Sequence, residues 1–356
     1  MTPPALPEEL SSLICAVRPA QRADPAAVRA HLDDLTKPPG SLGHLEELAL
    51  RLALIYGDPP PPLDRRTIFV LAGDHGVAHR GVSVYPPEVT AQMCRNFASG
   101  GAAINAIARA VGAEVVAVDI GVDADLHDVP GLVHRKVRRG TRDLTSQAAL
   151  TREEACRAIL VGAKLVSERA DSAGIVVLGD MGIGNTTAAA ALAAAFTGRP
   201  VADLVGLGTG LAPERLAHKR TIVETALSRL SPQAAALDVL AEVGGLEIAG
   251  LAGVALAGAG LERAVVTDGF IATAAALVAV RLCPPVREYL FASHRSVEPG
   301  HRALLEALEL RPLFDWGLRL GEGTGAALAL PILDAAAAVL REMATFSSAG
   351  VSGPVP

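Results

Sequence analysis

The chain has 356 residues, room for one large domain with an appendage or for two domains, and a net charge of −6 with no basic cluster. That excludes the electrostatic footprint of a nucleic-acid-binding protein and leaves a protein that handles small molecules. Half of the residues are hydrophobic but only 3% are aromatic, so the core must come from Ala, Val, Leu and Ile, as in close helix-on-sheet packing.

The first 60 residues read as helical and separate from the rest of the chain. PAAVRAHLDDL leads to the break KPPGSLG and then to SLGHLEELALRLALIYG, where Leu42, Leu45, Ala49, Leu52 and Tyr56 share one face. The PPPP run at 59–62 closes this unit. Short β-branched runs then alternate with Ala-rich helices. Strands are expected at TIFVLAGD, EVVAVDIG, GIVVLGD and AVVTDG. Helices are expected at PEVTAQMCRNFASG, AINAIARAVG, TREEACRAILVGAKLVSERA, TTAAAALAAAF, PERLAHKRTIVETALSRL and FIATAAALVAV. Thr151 and Glu154 form a capping box, and Pro213 stands where a helix would begin. The segment IAGLAGVALAGAGL at 248–261 is shorter than the ~20 residues of a membrane span and reads as a buried helix. Strands separated by helices predict an α/β fold with a parallel sheet and right-handed crossovers. Cys15, Cys94, Cys156 and Cys283 lie far apart without ligand spacing, and MTPPALPEEL lacks a basic region followed by an apolar one, so a cytoplasmic protein with reduced thiols is expected.

Four strands end alike, at Asp74, Asp119, Asp180 and Asp268. In an open parallel sheet these ends line the edge where ligands bind, although each acid is also fit to cap a following helix. After Asp180 the stretch GDMGIGNTTAAAAL enters a helix through Gly182, Gly184 and Asn185. Such a turn presents backbone N–H groups to an anion, or serves simply as a tight strand-to-helix connection. It does not match G-x-G-x-x-G, and the chain has no G-x-x-x-x-G-K-[ST]. GLGTGL at 206–211 and GEGTGA at 321–326 are further glycine turns before helices.

His75 and His294 are candidates for acid–base or metal chemistry, yet neither has a second ligand at suitable spacing, and a histidine tied to neighbouring backbone is the alternative. SHRSVEPGH reads as a polar loop capping the next helix. Lys219 is either a solvated helix charge or a phosphate partner. Glu322 stands between glycines ahead of a long apolar helix. A helix-dipole charge is one reading; a general base, with glycines that let substrate approach the backbone on either side, is the other.

Together KPPGSLGHLEELA, AGDHGV, GVSVYPPEVTAQMCRNFASGGAAIN, GDMGIGNTT, the His218–Lys219 pair, DGF, SH and RLGEGTGAAL resemble, in order from about residue 30 to residue 345, the nicotinate-nucleotide dimethylbenzimidazole phosphoribosyltransferase family. The resemblance implies transfer of the ribose phosphate of nicotinate mononucleotide to 5,6-dimethylbenzimidazole, without metal or cofactor, for the lower ligand of cobalamin. It implies a homodimer with a Rossmann-like domain at 61–323, flanked by a small helical domain made of 1–60 and 324–346; the tail SSAGVSGPVP from 347 is by its own composition expected to be disordered. Glu322 corresponds to the family's general base. Asp180, Met181, Gly182, Ile183, Gly184, Asn185, Thr186 and Lys219 correspond to the phosphate and ribose cradle, with Asp180 one methylene shorter than the Glu of the family pattern. Tyr85, Gln92, Met93 and Leu320 correspond to the aromatic-base pocket, and Asp74, His75, Asp268 and His294 stand behind these groups. The rival readings are a catalytically silent nucleotide-binding regulator, a phosphoribosyltransferase for another aromatic base, and an NAD-dependent dehydrogenase, the last opposed by the missing fingerprint.

Overall fold

Each of the four β-branched runs forms a strand in the computed structural model, which describes residues 6–169, 174–231 and 233–352. The strands are β1 (Arg66–Gly73), β2 (Glu114–Gly121), β3 (Val133–His134), β4 (Ile175–Met181), β5 (Ala264–Thr267) and β6 (Leu290–Ala292). All pair parallel in the order β3-β2-β1-β4-β5-β6. The edge strands β3 and β6, two and three residues long, are too short to leave an alternation in the sequence.

The chain builds the sheet outward from β1 in one direction and outward from β4 in the other. The order therefore reverses between β1 and β4, and a crevice opens above their carboxyl ends. Leu71 and Ala72 pair there with Asp180 and Met181.

The expected helices form, and helix Leu246–Gly260 is buried along nearly its whole length. It packs against helix Arg152–Ser167, whose N-terminus carries the Thr151–Glu154 capping box. Glycines make this contact. A methyl group on Gly162 would overlap the carbonyl oxygen of Gly250, and one on Gly253 would overlap that of Ile159. The absence of side chains lets the two backbones touch, which is why so aliphatic and aromatic-poor a sequence packs densely. Pro213 opens a short turn, Pro213–Arg215, that runs into helix Leu216–Leu227.

Near the amino end, helix His44–Tyr56 buries Leu48, Ala49, Leu52, Ala53 and Ile55. Leu42, expected on that face, precedes the helix and is exposed, because the buried stripe begins only one turn into it. Helix Thr324–Glu342 packs across it, and Leu35 bridges to Thr345. Arg66 of β1 pairs with Asp334 at 2.6 Å. Among the described residues Thr324–Glu342 is the one helix long and apolar enough to cross a membrane by length and composition, and 56% of its apolar window is buried in the fold. Residues 347–349 of the expected tail belong to a helical turn, Phe346–Ala349, capped by Thr345; 353–356 lie outside the described residues.

Gly162→Ala is expected to lower stability by about 1–3 kcal/mol through overpacking, read as a fall in thermal midpoint without change in sheet content by circular dichroism.

Candidate active site

The end of β4 organises the crevice. Asp180 is buried, its Oδ2 accepts from Asn185 Nδ2 at 3.1 Å, and its Oδ1 has no partner. Gly184, at φ +97, is the N-cap of helix Asn185–Thr197, a backbone state that glycine reaches without steric cost. The Ile183 N–H donates to Thr90 Oγ1 at 3.2 Å, which ties the turn to helix Glu88–Ala98.

Lys219 is fully buried behind this turn. Its Nζ donates to Thr186 Oγ1 at 2.8 Å and to the Gly206 carbonyl at 3.2 Å. Burial lowers its pKa to about 8 although the nearby Glu298 charge opposes the shift. Glu298 Oε1 accepts the Gly208 N–H at 2.8 Å. Its carboxylate therefore secures the 206–210 turn and does not cap the following helix, contrary to the simplest reading of SHRSVEPGH. Arg319 reaches the Gly208 carbonyl from the other side at 3.4 Å.

Glu322 adopts φ +64, flanked by Gly321 at +88 and Gly323 at +87. Three successive left-handed residues explain the glycines better than open access for a substrate does. A side chain on Gly323 would press on Ile68 at 2.9 Å, while Gly321 faces Asp180. Strain at Glu322 persists because its surroundings fix it. The Glu322 N–H donates to the Asp180 carbonyl at 3.2 Å, and Gly179 has no Cβ where one would lie 2.6 Å from the Glu322 carbonyl oxygen. The Glu322 carboxylate accepts the Ile104 N–H at 3.3 Å, in the first turn of helix Ala103–Ala110. Burial raises its pKa above the usual glutamate value despite that bond.

Asp268, at the end of β5, accepts from Gly323, Gly325 and Ala326 at 3.0, 2.8 and 3.1 Å. It caps helix Thr324–Glu342 and not the helix that follows it in sequence. Burial pushes its pKa up to about 7 against those bonds. His294 Nδ1 lies 3.7 Å from Asp268 and 3.0 Å from Ser293 Oγ; burial lowers its pKa to about 4, so it is neutral. Burial, and the charges of Asp268 and Glu247, hold the Asp180 pKa well above the ordinary range. His75 is hydrogen-bonded through Nε2 to Glu247 at 2.7 Å, both side chains wholly buried. Burial alone disfavours its imidazolium, but the Glu247 charge and hydrogen bond outweigh burial and raise its pKa.

A family model described as phosphoribosyltransferase matches residues 17–351. The nicotinate-nucleotide–dimethylbenzimidazole phosphoribosyltransferase of Geobacter metallireducens is 51% identical, over 96% of this chain and 98% of its own. That of Roseiflexus sp. is 52% identical, over 97% and 99%. A crystal structure of the Thermus thermophilus enzyme of the same name superposes with TM-score 0.89 at 52% identity, over 93% of this chain and 98% of its own. The chain belongs to the nicotinate-nucleotide–dimethylbenzimidazole phosphoribosyltransferase family.

In this member of the family Asp180, Met181, Gly182, Ile183, Asn185, Thr186, His294 and Leu320 line one cleft together with Gly208, Thr209, Glu298 and Arg319. Gly184, Lys219 and Glu322 lie outside its lining; Lys219 touches it through Thr186 and Glu322 through the Asp180 carbonyl. The expected base-pocket residues are less gathered. Leu320 lines the cleft but is 60% exposed, while Tyr85, 52% exposed, Gln92 and Met93 lie outside its lining. Their segment reaches it by Ser83 Oγ, 3.1 Å from Thr209 Oγ1. Asp74 lies outside the lining, accepting the Asp123 N–H at 2.8 Å, and Asp119 pairs with Lys136 at 3.0 Å.

Sequence reading missed Glu247, Glu298, Arg319 and Thr90. Thr90 and Arg319 lie inside the GVSVYPPEVTAQMCRNFASGGAAIN and RLGEGTGAAL segments that carry the resemblance, whereas Glu247 and Glu298 reach the site from outside them, with Gly244 and Gly245 beside Glu247 as the one signal.

An anion held beside Lys219 needs the ammonium form, which is lost as pH rises through about 8. Ribose 5-phosphate affinity measured by calorimetry is therefore expected to fall above that pH, by up to about tenfold per unit, and Lys219→Met should abolish the dependence.

Proposed function

We infer that the protein transfers the ribose phosphate of nicotinate mononucleotide to 5,6-dimethylbenzimidazole with inversion, giving α-ribazole 5′-phosphate and nicotinate, in the synthesis of the cobalamin lower ligand. The observation that carries the reading is the bond from the Glu322 N–H to the Asp180 carbonyl. It fastens a buried carboxylate of raised pKa to the strand whose next residues form the anion-binding turn.

The 182–186 turn and Lys219 hold the nucleotide phosphate, and Asp180 faces the ribose. The acceptor nitrogen attacks C1 of the ribose as the bond from C1 to the nicotinate nitrogen breaks. Its electron pair returns to the pyridine ring, so the leaving group departs neutral at nitrogen and needs no acid. Positive charge grows on the acceptor ring, and Glu322 takes its N–H proton. Fixing both partners in line turns a bimolecular displacement into an effectively unimolecular one. A carboxylate hydrogen-bonded to a helix N-terminus remains a competent acceptor, while burial raises its basicity.

The same reading makes the protein a cytoplasmic homodimer. Residues 1–60 and 324–346 form the small helical domain beside a catalytic domain at 61–323, supported by the packing of helix Thr324–Glu342 on helix His44–Tyr56.

Purified protein should release nicotinate from nicotinate mononucleotide when given dimethylbenzimidazole, without added metal. Glu322→Gln should cut that rate by about 10²- to 10⁴-fold while nucleotide still binds; an undiminished rate in this variant would remove Glu322 from the role. With the wild type, turnover should fall as pH drops through the raised Glu322 pKa, because the neutral acid accepts no proton.

A further inference from the structure

We propose that His75 and Glu247 act as a buried positioning pair that holds the nucleotide-phosphate turn from beneath and so sets the affinity for the phosphorylated substrate. The proposal rests on the function inferred above and assigns to that site two residues remote from each other in the chain.

His75 lies just beyond β1, and Glu247 in the first turn of helix Leu246–Gly260. Glycines surround the 2.7 Å contact between them. A methyl on Gly182 would sit 3.4 Å from the His75 ring and 3.5 Å from Glu247 Oε1, and one on Gly184 would sit 3.3 Å from His75 Cβ. On the far side, one on Gly245 would overlap the His75 ring and lie 2.7 Å from Glu247 Oε2. Gly182 and Gly184 belong to the turn itself, so the pair lies beneath its backbone at the distance a methyl group would just bridge.

Stability is a poor explanation for the pair. Both charged groups lose their hydration, and an apolar pair of similar volume is often as stable. His75 Nδ1 and Glu247 Oε2 have no hydrogen-bond partner, a further cost that an apolar pair would avoid. What the pair supplies is direction. A charge-assisted hydrogen bond fixes ring and carboxylate relative to each other, and through the two glycines it fixes the backbone that presents N–H groups to the phosphate. The Glu247 charge favours the protonated ring, and that ring would offset a carboxylate standing behind an anion-binding turn.

Steady-state kinetics with varied nicotinate mononucleotide, varied dimethylbenzimidazole and thermal unfolding test this on the purified protein. His75→Ala and Glu247→Ala are expected to raise KM for the nucleotide by at least about tenfold, as misplacement of a binding group does, with kcat and the KM for the base within threefold of wild type. Glu247→Gln keeps a hydrogen bond to His75 and should bring the nucleotide KM back to within threefold. Gly245→Ala retains both side chains but shifts them with a methyl; it should reproduce the KM rise, and it carries the test if the alanine variants fail to fold. A pair that only stabilises the fold would lower the thermal midpoint and leave both KM values unchanged, and that result in Gly245→Ala overturns the proposal. Absence of nicotinate release from the wild type overturns the inferred function and this proposal together, whereas an active wild type with unchanged variants overturns this proposal alone.

Discussion

Asp268 receives three backbone N–H groups, from Gly323, Gly325 and Ala326, and the place of the acid at 322 follows from those bonds. The helix that begins at Thr324 has glycine at its N-cap and no side-chain cap of its own. Its first amides need acceptors, and a carboxylate projecting from the end of β5 supplies them. The helix is thereby pinned to the sheet at its first turn, and the residue just before it is forced into a left-handed conformation. Gly179 then admits the Glu322 carbonyl against β4. Remove the Asp268 carboxylate, and the left-handed backbone at Glu322 is held only by its bond to the Asp180 carbonyl, and its side chain only by the Ile104 N–H.

Four acids, Asp180, Glu247, Asp268 and Glu322, converge at the carboxyl ends of β1, β4 and β5, and burial together with the charges of the other three raises the Asp180 pKa. Negative groups are held together in low dielectric only at a cost. The arrangement suits a donor whose glycosidic nitrogen is cationic, as the pyridinium of the inferred substrate is. The basic groups stand apart from these acids: Lys219 behind the 182–186 turn, bonded to Thr186, and Arg319 on the cleft wall at the Gly208 carbonyl.

The sheet was legible where strands were long enough to show β-branched runs, and its parallel character followed from the helices between them. Edge strands of two and three residues carry no such pattern. Within the site, contiguous residues were readable: the GDMGIGN turn and the GEGTG segment each advertised themselves by glycines. The reason for those glycines was only half readable. Sequence pointed to substrate access, whereas backbone sign at Gly321 and Gly323 and close packing at Gly179 are what require them. Partnerships across the chain left almost no trace. His75 and Glu247 are 172 positions apart, and Lys219 meets Thr186 only because helix Leu216–Leu227 folds back on helix Asn185–Thr197.

The sequence order of these parts has a consequence for how the protein comes into being. The strand that carries the anion turn and the lysine behind it both precede the acid, which arrives just ahead of the last long helix. On the function proposed above, a growing polypeptide thus holds the elements for capturing a phosphorylated ligand while it still lacks the group proposed for the chemistry. Helix Thr324–Glu342 then docks on helix His44–Tyr56 and, through Asp334, on Arg66 of β1, so on the reading proposed above the acid is set in place last.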